Sequence, residues 1–99
     1  FINWYLSGFV GGHLNRQGYY SAVPSTAKEY MAAYEWDYWM LGKPATQDIM
    51  DPDGKKLAGA GEVRDGGSFE ERMGGVACWN ATMDENRYMV RKWNEFVAA

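Results

Sequence analysis

The chain has 99 residues, of which 10 are basic and 13 acidic, and its formal net charge is −3. This length allows one domain with a single core, and the acidic balance argues against a nucleic-acid surface, which usually requires a basic patch. No apolar run approaches the roughly 18 residues of a membrane span, and a single cysteine cannot form an internal disulfide framework.

The first residues carry the apolar pattern of a helix. Apolar side chains recur at helical spacing over residues 1–10, and the pattern predicts a helix to about residue 17. We expect a break near Ser7 and Gly8 and an end at Gly18, because glycine is the usual residue just past a helix end. Neither a methionine nor a capping residue precedes the pattern, which indicates a piece of a longer protein.

A short extended segment is predicted from Tyr19 to Pro24. Val23 precedes proline, which disfavours the helical region for that residue. Tyr19 and Tyr20 directly follow Gly18. In such a turn the two tyrosines either pack against the rest of the fold or line a site for a ligand, and the pattern leaves both possibilities open.

Two further helices are predicted before residue 43. The sequence TAKE, residues 26–29, fits a capping box that opens a helix through residue 31. The stretch AYEWDYWML predicts the next helix, which ends at Gly42. This second helix carries a cluster of aromatic side chains: Trp36, Tyr38 and Trp39. Aromatic residues clustered on a short helix usually bury against a neighbouring layer.

Residues 43–67 are rich in glycine and proline, which predicts a segment that is mostly loop. Within it, DPDG at residues 51–54 is similar to the start of a calcium loop. In that register, however, Ile49 and Ala60 would stand where oxygen ligands are required. We therefore predict a β-turn at DPDG.

The last third of the chain is predicted to be helical. Ser68 and Glu71 form a second capping-box pattern, which opens a helix to about Met83, and Asp84 is the predicted N-cap of the final helix. The apolar side of that final helix consists of five residues: Tyr88, Met89, Trp93, Phe96 and Val97. The chain as a whole is thus predicted to be a mainly α-helical fragment with a short extended crossover and a long loop.

Few side chains show the spacing of a catalytic or metal site. His13, the only histidine, has no second ligand in register on its helix, and Cys78 has no histidine near it in sequence. The glycines of residues 59–61 begin like a dinucleotide fingerprint, but Arg64 stands where the third glycine should be. We predict no enzyme activity, no metal and no cofactor.

The two ends of the chain resemble one family. The segment FINWYLSGFVGGHLNRQGYYSAVP resembles bacterial extracellular solute-binding proteins of the spermidine/putrescine type. In those proteins a Phe-Ile-Asn-aromatic helix is followed by Gly-Tyr and a proline-containing crossover. Residues 77–80, Tyr88 and residues 92–96 are similar to the family's final two helices.

This resemblance implies a role in transport. Members are α/β proteins with two lobes that close on a solute held in the cleft and deliver it to an ABC permease in the inner membrane. Residues 1–24 would then come from one lobe, and residues 25–99 would supply helices and a loop that pack on the lobes. The expected location is the periplasm, or outside the cell with a lipid anchor, and the expected partners include the upstream part of the same protein.

The resemblance also implies the ligand and part of its site. Polyamine-binding members contact their ligand with a tyrosine after the same glycine, which corresponds to Tyr19, with Tyr20 as its neighbour. A polar side chain late in the chain also reaches the ligand, and the nearest positions are Trp79 and Asn80. The family's ligand carboxylates lie mostly upstream. Because a buried ammonium needs a partner, we expect this chain alone to bind a polyamine weakly or not at all.

A second interpretation needs no resemblance. The chain could be an autonomous helical interaction module in which Trp36 and Trp39 form the docking face. A large exposed apolar patch would favour that function.

Overall fold

A computed structural model describes residues 1–77 and 84–99. These residues are mostly helical and include a small two-stranded antiparallel sheet, so the mainly helical prediction is confirmed. The elements in chain order are α1 (Ile2–Leu6), α2 (Phe9–Arg16), α3 (Pro24–Ala27), a 3-10 turn (Lys28–Tyr30), α4 (Ala33–Trp39), β1 (Ile49–Met50), β2 (Lys56–Ala58), α5 (Phe69–Gly74) and α6 (Asn86–Ala98). None of the described helices is long and apolar enough to cross a membrane.

The first helical stretch breaks where the sequence predicts. Gly8 separates α1 from α2 with a φ of 107°, a left-handed conformation that glycine adopts without a steric penalty. The break turns α2 so that it packs on α3. At Gly11, an added Cβ would lie 2.9 Å from the Cβ of Ser21 and 3.0 Å from that of Ala27, so a larger residue would force these neighbours to shift.

The end of α2 fixes the direction of the crossover. Gly18 has a φ of 86°, and the Tyr19 N–H donates to the Leu14 carbonyl over 3.1 Å. This is the hydrogen bond of a Schellman motif, in which a left-handed glycine terminates the helix. The predicted helix end at Gly18 is confirmed. The crossover that follows contains no strand and bends at Ala22, and Val23 is extended.

The predicted capping box at residues 26–29 is wrong. Pro24 occupies the first turn of α3 and Val23 is the N-cap, a position where proline is favoured because its missing N–H would be unpaired anyway. The Thr26 hydroxyl instead donates to the Leu6 carbonyl over 2.9 Å. Met31 is extended, so α4 is a separate helix.

The core forms between α4 and the segment that was predicted to be mostly loop. Its buried cluster contains Tyr38, Trp39, Met40, Ala45, Ile49 and Ala58. Ile49 is fully buried, and burying a side chain of this size stabilises a fold by about 1.5–3 kcal/mol. The glycine-rich segment therefore covers the aromatic helix, and the predicted burial of Tyr38 and Trp39 is confirmed.

A short hairpin lies inside residues 43–67, where no strand was predicted. Ile49 of β1 pairs with Ala58 of β2. The predicted turn between the strands is confirmed: the Asp51 carboxylate accepts hydrogen bonds from the N–H groups of Asp53 and Lys55, over 2.9 and 2.7 Å. These bonds, together with a left-handed Gly54, are typical of an Asx-type turn.

The two last helices differ in part from their predictions. Ser68 caps α5 as expected, since its hydroxyl accepts from the Glu71 N–H over 3.2 Å and its own N–H donates to the Glu71 carboxylate over 2.7 Å. The helix ends at Gly74, however, well before Met83. In α6 the N-cap is Glu85, one residue after the predicted Asp84.

The apolar side of α6 is exposed. Trp93 and Phe96 lie mostly in solvent, and no residue of the helix is buried.

Candidate functional site

The structure places both crossover tyrosines at the surface. Tyr19 is 67% exposed and Tyr20 is 46% exposed. The rings of Tyr20 and Phe69 of α5 form a T-shaped pair, with 5.6 Å between ring centroids. Tyr20 is therefore partly packed against the fold, and Tyr19 is the more exposed of the two. The other predicted site residues, Trp79 and Asn80, lie outside the described residues.

A groove of about 240 Å³ lies beside this contact. We call it the aromatic groove, and its lining residues are Pro24, Trp36, Met40, Leu41, Ser68, Phe69 and Glu70. Phe69 links it to the crossover, because the same ring contacts Tyr20. Among the described residues that line the groove, Glu70 is the only charged one.

The Trp36 ring already contacts a cation of the chain itself. The ammonium of Lys28 lies 5.5 Å from the centroid of the Trp36 ring, within the range of cation–π attraction. Apolar and aromatic walls can hold an alkyl chain, and the Glu70 carboxylate can accept a hydrogen bond from an ammonium group at one end. The groove is therefore chemically suited to an alkyl amine.

Two arginines, Arg64 and Arg72, contact both the crossover and the end of α4. We call them the arginine pair. Both guanidinium groups donate to the Trp39 carbonyl, over 3.1 Å for Arg64 and 2.9 Å for Arg72. Arg64 also donates to the Gly18 carbonyl over 3.2 Å. The end of α4 and the turn before Tyr19 are thereby held together.

Both guanidinium groups lie over aromatic rings. The Cζ atom of Arg64 is 4.8 Å from the Trp39 ring centroid, and that of Arg72 is 5.4 Å from the Tyr20 ring centroid. These distances are within the range of cation–π attraction, which holds each guanidinium against its ring. The Trp39 ring is thus covered by Arg64.

The arginine pair is electrostatically unusual. Neither Arg64 nor Arg72 forms an ion pair with an acid in the part of the chain that the structure describes. Burial lowers the pKa of the Arg64 guanidinium, and the positive charge of Arg72 lowers it further. Two like charges share one carbonyl oxygen, so this corner of the molecule is cationic although the chain is acidic overall.

Sequence reasoning missed the residues that surround the tyrosines. In sequence, Arg64 is notable only as a departure from a glycine fingerprint, and Glu70 lies inside a capping-box segment. Arg72 and Phe69 carried no pattern that distinguishes them from ordinary helix residues. Within residues 1–77 and 84–99, no group of three or more His, Cys, Asp or Glu side chains could hold a metal ion.

The docking face proposed for the alternative function is not a single exposed surface. Trp39 is only 7% exposed and lies beneath Arg64, whereas Trp36 lines the aromatic groove. Half of the large exposed apolar side chains of the described residues lie instead on α1 and α6, among them Ile2, Trp4, Tyr88, Trp93 and Phe96.

Comparison with protein-family models, with curated proteins and with solved structures found no match to this chain.

Proposed function

We propose that the chain forms one wall of the binding site of a solute-binding protein that serves an ABC importer. The solute is a small polyamine-like cation, and the site is completed by the upstream part of the same protein. The observation that supports this proposal is the aromatic groove lined by Glu70, whose Phe69 ring contacts Tyr20 of the crossover. The resemblance of the FIN…GYY segment to spermidine/putrescine-binding proteins supports the same role, with a periplasmic or lipid-anchored location.

The groove supplies only part of such a binding site. An alkyl chain lying on Trp36 and Phe69 would bury apolar surface, and one ammonium would meet Glu70. A cation–π contact at an exposed site contributes about 0.5–1 kcal/mol. Because a diamine has a second charge that needs its own partner, we expect millimolar rather than micromolar binding by this chain.

Titration with putrescine and spermidine, followed by nuclear magnetic resonance, tests the proposal. We expect the indole of Trp36 and the ring of Phe69 to shift with a saturating dependence on amine concentration. Glu70→Gln and Tyr19→Ala should each weaken binding by about threefold, as expected for one exposed charged or aromatic contact.

Matched controls are available in the same chain. Glu29→Gln removes an exposed carboxylate outside the groove, and Tyr88→Ala removes an exposed tyrosine on α6. Both controls should bind the amines like the unmodified chain. Unsaturable shifts, or equal weakening by the controls, would contradict a site at the groove.

A second candidate function is protein interaction through α6. The exposed aromatic residues Trp93 and Phe96 pack against each other, with 5.7 Å between ring centroids, and form an apolar surface with Tyr88 and Met89. Contiguous exposed apolar surface marks interaction sites in many proteins.

Sedimentation velocity over a range of concentrations tests whether α6 docks on a second copy. If it does, association should rise with concentration, and Trp93→Gln should reduce it far more than Trp4→Gln on α1. A monomer at every concentration would count against self-association through this helix.

A further inference from the structure

We propose that the solute carries a carboxylate as well as an ammonium group, and that Arg64 and Arg72 receive this carboxylate beside Tyr20. The inference rests on the proposed function, because it refines the ligand of the same site. It names a class: amines with a terminal carboxylate, such as ω-amino acids or amines acylated by a dicarboxylic acid.

The hydrogen bonds of the arginine pair leave donors for an anion. A guanidinium has five N–H donors. Arg64 donates to two backbone carbonyls, and Arg72 donates to the carbonyls of Ser68 and Trp39. The buried Nη1 atom of Arg72 has no acceptor among the described residues. Because that atom has almost no accessible surface, a solute would meet the remaining N–H donors of the two half-buried guanidinium groups. A carboxylate is the acceptor that a guanidinium edge matches best.

The chain itself shows how it satisfies a partly buried arginine. Arg16 is bonded by both oxygens of the Glu35 carboxylate, each over 2.9 Å. The arginine pair is also half-buried, and both guanidinium groups donate to one carbonyl oxygen. No carboxylate of the described residues forms an ion pair with either of them. An anion bound there would offset the repulsion between the two guanidinium groups.

The arrangement along the site favours a solute whose two ends carry opposite charges. Tyr20 contacts both Arg72, whose Cζ atom lies 5.4 Å from its ring centroid, and Phe69, whose ring forms a T-shaped pair with it. Phe69 lines the groove together with Glu70. The anionic end of a solute therefore belongs at the arginine pair and its cationic end at Glu70. A diamine of the same length would place an ammonium beside two guanidinium groups.

Three probes of equal chain length separate these possibilities: cadaverine, δ-aminovalerate and glutarate. They carry two ammonium groups, one ammonium and one carboxylate, and two carboxylates, respectively. We expect δ-aminovalerate to bind the full chain about tenfold more tightly than either relative, since a charge-assisted hydrogen bond at each end has this order of effect. Resonances of the Arg64 and Arg72 guanidinium groups should shift with δ-aminovalerate and not with cadaverine.

Substitutions at the arginine pair complete the test. Arg64→Gln and Arg72→Gln should each weaken δ-aminovalerate binding by about tenfold, whereas Arg64→Lys and Arg72→Lys keep the charge and should lose less. Arg91→Gln is the matched control, because it removes a guanidinium that lies over the Tyr88 ring of α6. Circular dichroism identifies any variant that fails to fold. If a glutamine variant fails to fold, the corresponding lysine variant is compared with the unmodified chain instead.

The outcomes distinguish this inference from the function on which it rests. Cadaverine binding at the groove as tightly as δ-aminovalerate would overturn the carboxylate site and leave the polyamine-binding function standing. Absence of binding by all three probes, together with putrescine and spermidine, would overturn both. Loss of δ-aminovalerate binding in Arg91→Gln equal to that in the pair variants would also overturn the carboxylate site.

Discussion

Replacing Gly8 with alanine should destabilise the fold by about 3 kcal/mol or more, because two independent costs add at this position. The backbone φ of 107° is left-handed, which alone costs an L-residue about 1–2 kcal/mol. An added Cβ would also collide with the backbone carbonyl of Thr26. That carbonyl belongs to α3, so relief of the collision requires the α2–α3 contact to open.

Gly54→Ala provides the matched control for this prediction. Gly54 is also left-handed, with a φ of 83°, but nothing lies within 4 Å of the position that its Cβ would occupy. Its replacement should therefore cost only about 1–2 kcal/mol, the backbone term alone. Urea denaturation followed by circular dichroism measures both variants. Equal losses would show that the packing of α3 against Gly8 contributes little to stability.

Local backbone signals were the part of this fold that could be predicted from sequence. Gly8 and Gly18 break or end helices at the predicted places, because each adopts a left-handed conformation that few other residues tolerate. Gly42 is also left-handed, but α4 ends at Trp39, before the predicted end. The Ser68 cap and the turn at residues 51–54 were also predictable. In both, a short side chain bonds to a backbone group only a few residues away, so the sequence contains both partners.

Tertiary context decided the features that the sequence did not predict. The hairpin strands are only two and three residues long, too short for an alternating pattern to be read. The Thr26 hydroxyl bonds to Leu6, twenty residues away, rather than capping its own helix. The apolar side of α6 predicts burial, yet no residue of this helix is buried, because periodicity indicates a face and not its partner.

In the candidate site, too, local features could be predicted from sequence and long-range contacts could not. The placement of Tyr19 and Tyr20 at an open crossover follows from Gly18 and Pro24, which lie close to them in sequence. Arg64 bonds to Gly18 across 46 positions of the chain, and no local pattern encodes such a contact. The cationic character of this corner therefore emerges only in the fold, although it bears directly on which solute the tyrosines can serve.

Replacing Arg16 with methionine should also produce a large loss of stability, about 2–3 kcal/mol at neutral pH. Glu35 is only 8% exposed, and its carboxylate accepts hydrogen bonds from Arg16 and from the Ala32 N–H. Removing one partner of a buried ion pair costs about 3–5 kcal/mol, and the partial exposure of Arg16 reduces that figure. The double variant Arg16→Met, Glu35→Gln should lose less than Arg16→Met, because it leaves no unpaired buried charge.

The pH dependence of stability distinguishes this explanation from a simple loss of packing. Burial acts to raise the pKa of Glu35, but the hydrogen bonds from Arg16 and Ala32 and the Arg16 charge together lower it below its ordinary value of 4.5. The ionised carboxylate thus stabilises the fold above that value, and the contribution is lost as the pH falls through the lower pKa of the folded state.

In Arg16→Met the sign should reverse. Without Arg16 the burial of Glu35 outweighs the single bond from Ala32, so the pKa of the folded state rises above that of the unfolded chain. Acidification then protonates a carboxylate that destabilises the fold when charged, and stability relative to the Arg16→Met, Glu35→Gln double variant should increase below neutral pH. Urea denaturation of the three chains across the acidic range measures this difference. A parallel fall in all of them would show that Glu35 is not the group that couples Arg16 to pH.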